Sequence, residues 1–169
     1  MNNAGVKIGF VGLCLWVLSF TGCYHLGEQP VPFQKIYVAP PTNASYAPRV
    51  QAVLLTQIRE FLLKSKRVKL VDEAAADAIL TLNITSYQRS IAAVNETDPD
   101  IAKSLSLGLT VEYSLYNVKE KKDFFKNKTV SETMSIVANT FTLAAEYQRM
   151  PELTRSVANT MVNTILSTW

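Results

Sequence analysis

The chain has 169 residues, of which 48% are apolar, 18% charged and 9% aromatic, a balance that describes one compact domain and excludes a wholly disordered chain. A single histidine leaves little material for a multi-histidine metal centre or a serine–histidine–acid triad, and the six glycines (Gly5, Gly9, Gly12, Gly22, Gly27 and Gly108) frame no phosphate-cradling loop beyond residue 22. The formal charge of +3 is mild and scattered, and implies no nucleic-acid partner.

The first element is a targeting segment. Lys7 precedes Ile8 to Phe20, thirteen residues that are apolar or small and carry no charge. At ~1.5 Å per residue they reach about 20 Å, short of a hydrocarbon layer of roughly 30 Å, so they fit the hydrophobic region of a signal peptide rather than a spanning helix. Thr21-Gly22 directly before Cys23 resembles the lipobox of bacterial lipoproteins, with Phe20 standing where a smaller aliphatic residue is usual. In those proteins a peptidase cuts before the cysteine. The chemistry needs a thiol that accepts diacylglycerol, and small residues that let an extended backbone enter a narrow groove. The alternative is an ordinary secretory signal that leaves Cys23 as a free thiol. Residues 1–22, including Cys14, are expected to be removed, which leaves one cysteine, no intramolecular disulfide and a net charge of +2. Diacylglycerol and an N-acyl chain on Cys23, each buried methylene contributing about 0.8 kcal/mol, would then anchor the protein. Tyr24 is not the aspartate that resembles an inner-membrane retention signal, so the outer membrane is the expected destination.

Residues 23–34, with Pro30 and Pro32, read as the lipidated terminus and its tether, and 35–169 as a single domain. Lys35 to Ala39 has the content of a strand that Pro40-Pro41 ends. Thr42, Asn43, Ser45 and Pro48 form a loop. Val50, Val53, Leu54, Ile58, Phe61 and Leu62 then recur at helical spacing, with Gln51, Gln57, Arg59 and Glu60 opposite, which predicts one amphipathic helix over roughly 48–65. Lys64, Lys66, Arg67 and Lys69 crowd its end, where cations complement the helix dipole.

Val68 to Val71 is a short strand and Asp72 to Asp77 a polar turn. From Ala78, Ile79, Thr81, Asn83, Thr85 and Tyr87 alternate with Ala78, Leu80, Leu82, Ile84 and Ser86, the pattern of a half-buried strand. Residues 92–103 are a loop. Leu105 to Asn117 repeats the alternation, a charged turn follows at Lys119 to Asp123, and Phe124 to about Ala138 forms a third strand with weaker alternation, closing an antiparallel hairpin whose solvent face is rich in Thr and Ser. Pro151 suits the first turn of a closing helix, along which Leu153, Val157, Ala158, Met161, Val162, Ile165, Leu166 and Trp169 form one apolar stripe. The expected class is α+β: two amphipathic helices packed on one face of a mainly antiparallel sheet of about four strands.

These landmarks, in order, resemble the lipopolysaccharide-assembly lipoprotein family, LptE. Cys23-Tyr24-His25-Leu26-Gly27 is similar to its lipidated start; Ile36-Tyr37-Val38, Pro41-Thr42-Asn43 and Pro48 to its first strand and loop; Ala76-Asp77-Ala78-Ile79-Leu80 with Ile84 and Tyr87 to its second strand; and the helix ending at Trp169 to its close. The resemblance implies a non-catalytic subunit, with no cofactor beyond its own acyl chains, that plugs the LptD β-barrel of the outer membrane and binds lipopolysaccharide. A small domain with polar short side chains on its sheet face suits a polar barrel lumen.

An anionic glycolipid needs cations that pair with phosphate. The candidates are Arg89 after the first long strand and Lys119, Lys121, Lys122, Lys126 and Lys128 about the hairpin turn, against the alternative that hairpin lysines are simply solvated. A periplasm-facing adaptor for peptidoglycan, secretion or efflux is the competing binding function. A glycan hydrolase would need two carboxyls across a cleft; Asp98 with Asp100, or Glu112 with Glu132 facing across the hairpin, are the available pairs, and His25 is badly placed as a general base.

Overall fold

The computed structural model describes residues 30–47, 49–94, 102–137 and 143–169. The targeting segment, Cys23 to Gly27, Pro48, Asp98 and Asp100 therefore lie outside the described residues. In chain order the elements are β1 (Lys35–Val38), β2 (Thr42–Asn43), α1 (Val50–Ser65), β3 (Lys69–Leu70), a 3-10 turn (Glu73–Ala75), β4 (Ala78–Val94), β5 (Ala102–Asn117), β6 (Lys122–Val137) and α2 (Leu143–Ser167). The α+β class expected from the sequence holds, with both helices on one face.

Among the described residues the sheet has six strands rather than about four, and it is mixed. Its order is β3-β1-β4-β5-β6, with β2 also on β4. β4, β5 and β6 form the long antiparallel part, whereas β1 pairs in parallel with both β3 and β4, and β2 in parallel with β4. Pro40-Pro41 does interrupt the first strand, because neither residue has an N–H to give the ladder. The chain then rejoins the same edge: Ala39 N donates to Leu80 O at 2.9 Å and Ala44 N to Ile84 O at 2.9 Å. The segment read as a loop thus contributes β2, and Asn43 shapes the turn into α1 by accepting from Ser45 N at 2.9 Å and donating to Ala47 O at 2.9 Å.

The core lies between the sheet and the helices. Val50, Leu54, Ile58 and Leu62 of α1 and Leu153, Val157, Met161 and Ile165 of α2 are buried over Leu80, Ile84, Leu107, Leu109, Val111 and Leu115. Gln57, expected on the polar face, is 8% exposed and lies in the α1–α2 seam. There its Nε2 donates to Pro151 O at 2.8 Å.

Pro151 is not in the first turn of the closing helix but eight residues inside it. Its ring removes the N–H that would reach the Tyr147 carbonyl. Tyr147 is exposed, so water can serve that carbonyl, and the preceding turns are tied to the sheet by Glu146, which accepts from Arg89 Nη1 at 2.6 Å. Tertiary contact overrides the local stop signal.

A bulge corrects the reading of β4. Ile84 pairs with Val111 but Ser86 with Thr110, so Thr85 is an extra residue and the two faces exchange beyond it. Ala78, Leu80, Leu82 and Ile84 point to the helices, as expected; afterwards it is Tyr87, opposite buried Leu109, and not Ser86 that does. In β6 further register shifts occur after Tyr113 and Leu115 of its partner. Asn127, at φ 54, sits in one of them with its N–H donating to Ser114 Oγ at 2.9 Å. These irregularities are why the third strand alternates weakly.

Candidate functional site

The open face of the sheet, away from the helices, is lined with small hydroxyl side chains in cross-strand rows. Ser90, Ser106 and Ser135 form one row, Ser86, Thr110 and Ser131 another, and Asn83, Glu112 and Thr129 a third. Thr and Ser stand here because their neighbours Leu107, Leu109 and Val111 take the buried positions, and because short hydroxyls suit a pleated surface. The rows are partly self-bonded: Thr110 Oγ1 lies 3.1 Å from Ser131 Oγ, and Thr85 Oγ1 donates to Thr110 O at 3.3 Å. Glu112 is the one charged residue in these three rows. The Thr- and Ser-rich face predicted for the hairpin is present and extends onto β4.

The candidate cations separate into two regions. Arg89 lies beyond the β4 bulge on the helix side, where its Nη1 donates to Glu146 Oε1 at 2.6 Å. The same carboxylate accepts from Tyr87 Oη at 3.3 Å. Burial first, then the charge of Glu146, pushes the Tyr87 phenol up to about 12. Arg89 pairs with Leu107 and Lys122 with Asn117, so Arg89 and the hairpin turn are separated by about 33 Å along β5. One phosphate cannot bridge them.

At the turn, Lys119 Nζ lies 3.0 Å from Asp77 Oδ1, and Lys122 pairs with Glu120. Asp77 also accepts from Lys35 N at 3.0 Å and Gln34 N at 3.3 Å. The Lys119 ammonium and these two N–H groups hold its carboxyl below the usual range. Asn117 shapes the turn by accepting from Lys119 N at 3.0 Å and Glu120 N at 3.2 Å. Lys121, at φ 52, and Lys126 are exposed. Lys128 turns to the helix side opposite Tyr113, its Nζ 4.5 Å from the centre of the Phe125 ring.

The carboxylate pair Glu112 and Glu132 does not form. Glu112 is opposite Asn83 and Thr129 on the open face, whereas Glu132 is opposite buried Leu109 and accepts from Thr160 Oγ1 at 2.7 Å and Ser156 Oγ at 3.1 Å. They stand on opposite sides of the sheet. Among the described residues no group of three or more His, Cys, Asp or Glu side chains could hold a metal ion. No helix of these residues is long and apolar enough to cross a membrane.

Sequence reasoning missed the Glu146 tie and an open depression of about 360 Å³ lined by Arg49, Val53, Tyr147, Met150 and Pro151. Both depend on the turns of α2 before Pro151. The acid, the arginine and the tyrosine are 57 and 59 residues apart in sequence, and only the β4 bulge directs them together.

A family model described as LptE, lipopolysaccharide-assembly, matches residues 33–165. The fold is also that of several solved lipoproteins. A minor lipoprotein from Acinetobacter baumannii superposes with a TM-score of 0.54 at 15% identity, over 82% of this chain and 95% of that one. Lipoprotein B from Nitrosomonas europaea gives 0.53 at 17%, over 85% and 88%. The rare lipoprotein B from Shewanella oneidensis gives 0.51 at 19%, over 80% and 92%. No curated protein sequence matches the chain.

Proposed function

The chain belongs to the LptE lipopolysaccharide-assembly family, and from that premise we propose that it is a non-enzymatic, lipid-anchored outer-membrane subunit that seats inside the LptD β-barrel and helps deliver lipopolysaccharide to the surface. The family match across residues 33–165 carries this reading. Acylation of Cys23 supplies the anchor, residues 23–34 the tether and 35–169 the plug; beyond the acyl chains no cofactor is involved.

The open face supports the role physically. A barrel lumen is polar and wet, so a plug needs a face that neither demands dehydration nor carries strong charge. The Ser, Thr and Asn rows meet both conditions, since each hydroxyl can exchange water for a lumen side chain at small net cost. Phosphates of lipopolysaccharide are met by Arg89 in one region, or by Lys119, Lys121, Lys122, Lys126 and Lys128 in the other. Arg89 shares itself with Glu146, as Lys119 does with Asp77 and Lys122 with Glu120, which makes Lys121 and Lys126 the more available cations among the described residues.

Recovery of one large β-barrel in equal amount from detergent-solubilised outer membranes is the expected result of a pull-down. Thr110→Glu with Ser131→Glu, which places two acids in the middle of the hydroxyl rows, is expected to lower that recovery at least about tenfold, the effect of roughly 1.4 kcal/mol, without lowering the melting temperature. Capture of a peptidoglycan, secretion or efflux component with no barrel would replace this reading by the adaptor.

A further inference from the structure

The sheet ends in β6, whose outer edge pairs with no strand among the described residues. Which of its backbone groups face outward follows from hydrogen bonds made further in. Leu80 O and Ile84 O accept from Ala39 N and Ala44 N and so point to β1 and β2, which leaves Thr81 and Asn83, of opposite parity, facing β5. Across β5 the alternation continues. Thr110 O and Ser114 O accept from Thr85 Oγ1 and Thr81 Oγ1 at 3.3 and 3.4 Å, so these residues bond toward β4, and Leu107, Leu109 and Val111 bond to Met134, Glu132 and Val130 of β6. Thr129, Ser131, Thr133 and Ser135 are left with N–H and C=O directed away from the sheet, over about 20 Å of strand. Their side chains are exposed on the open face, where Thr129, Ser131 and Ser135 end the three hydroxyl rows.

Natural sheets blunt such an edge with lysine, proline, a bulge or brevity. β2 and β3, at the opposite margin, have two residues each. The first half of β6 carries Lys126 and Lys128 about the irregularity at Asn127. From Thr129 to Ile136 there is no lysine, arginine or proline, and the register to β5 runs without a shift. Glu132, the one charge in that stretch, is turned under α2, where it accepts from Ser156 Oγ and Thr160 Oγ1. α2 itself has no charged side chain from Ser156 to Trp169. The second half of β6 is therefore a regular, unguarded and uncharged edge.

We propose that this edge receives an extended, uncharged segment of the barrel partner, added as a further strand through main-chain hydrogen bonds. The inference rests on the barrel-plug reading and says where the plug is gripped. A wall strand cannot be the occupant, because a closed barrel pairs the backbone groups of its wall strands with one another; a loop or arm of the barrel chain that reaches into the lumen can. A basic or acidic segment would bring charges that meet none of opposite sign on the edge or on α2 above it, so an uncharged one fits. The edge is continuous with the hydroxyl rows that suit a polar lumen, and one side of the domain makes both contacts. A second copy of this chain on the same edge would conflict with the equal amounts of plug and barrel expected of the complex.

The test compares deuterium exchange of the full mature chain alone in detergent with that of the chain in its purified complex with the barrel. The outward amides of Thr129, Ser131, Thr133 and Ser135 are expected to exchange freely in the chain alone and at least about tenfold more slowly in the complex. Thr133→Pro deletes one outward N–H, which a sheet edge tolerates, and orphans a carbonyl of the added segment. It is expected to lower barrel recovery about tenfold with the melting temperature unchanged. Equal exchange in the two states overturns the proposal, as does a Thr133→Pro variant that recovers the barrel like the parent; the parent's own recovery of the barrel then leaves the plug reading standing. A parent that recovers no barrel removes both. A chain that sediments alone as a dimer, and as a monomer with Thr133→Pro, gives the edge to a second copy and overturns the proposal. If Thr133→Pro melts early, the exchange comparison decides by itself.

Discussion

Replacing Gln57 by leucine should stabilise the protein, although it deletes a hydrogen bond. Gln57 is 8% exposed, its Nε2 donates to Pro151 O at 2.8 Å, and its Oε1 is buried with no partner among the described residues. An unpaired buried acceptor costs about 1–3 kcal/mol, and the lost donor bond is worth about 1. Pro151 O is not orphaned by the change, since it keeps Thr154 Oγ1 at 3.1 Å. Leucine has nearly the volume of glutamine, and the seam around it contains buried Leu54, Ile58 and Leu153, so the packing term is small or favourable. The net expectation is a gain of about 1 kcal/mol, which raises the melting temperature by about 3–5 °C in a domain of this size. Urea unfolding with an unchanged m-value measures it. Gln57→Glu is the contrasting variant, since it leaves a buried charge with no cation beside it and should lose about 3 kcal/mol or more. A leucine variant less stable than the parent by over about 1 kcal/mol at constant m would refute this reasoning, because it would show that Oε1 is satisfied in the parent.

Two titrations test the remaining ties. Asp77 has a depressed carboxyl, so it contributes stability above its unfolded value of 3.8 and loses it as pH falls through the lower folded value; Asp77→Asn should therefore be less stable by about 1–2 kcal/mol at pH 7, with the gap closing below about pH 4. A constant gap across that window would rule out the ionised carboxylate as the cause. Tyr87 has a phenol raised from 10.0 to about 12, so its share of stability is present below pH 10 and lost as pH climbs toward 12. Tyr87→Phe should flatten that alkaline slope, and Glu146→Gln should lower the phenol only part of the way, because burial is the larger cause.

Residues with a single local role were legible in the sequence. The α2 stripe from Leu153 to Leu166 is buried as its spacing requires, and α1 and the three long strands begin within three residues of their expected positions. The failures share one physical cause, which is that long-range pairing outweighs local signals. Gln57 looks polar and is buried because its amide reaches Pro151 O in the other helix. Pro151 looks like a helix start and lies inside one because Glu146 is held by Arg89. Thr42-Asn43 looks like loop and pairs with Asn83 and Ile84 because the edge of β4 is vacant beyond β1.

The bulge at Thr85 joins these effects to the site. Without the bulge, with Thr85 taking its place in the ladder opposite Thr110, period-two alternation would run unbroken through this sequence, and Tyr87 and Arg89 would fall on the open face among the serines. A guanidinium and a phenol would then interrupt the hydroxyl rows that suit a polar lumen, and Glu146 would have no partner to hold the first turns of α2 over the sheet. With it, Ser86, Gln88 and Ser90 take the open face, while Tyr87 and Arg89 clamp the helix. Leaving Thr85 out of the ladder thus keeps the three rows free of cations and the turns before Pro151 tied to the sheet. Deleting Thr85 should leave both intact, because Ser86 then follows Ile84 directly and still meets Thr110, with Tyr87 opposite Leu109 and Arg89 opposite Leu107. Helical content by circular dichroism and barrel recovery should both stay at the parent's level, and a loss of helicity would show that the bulge itself, rather than the register beyond it, holds Tyr87 and Arg89 under α2.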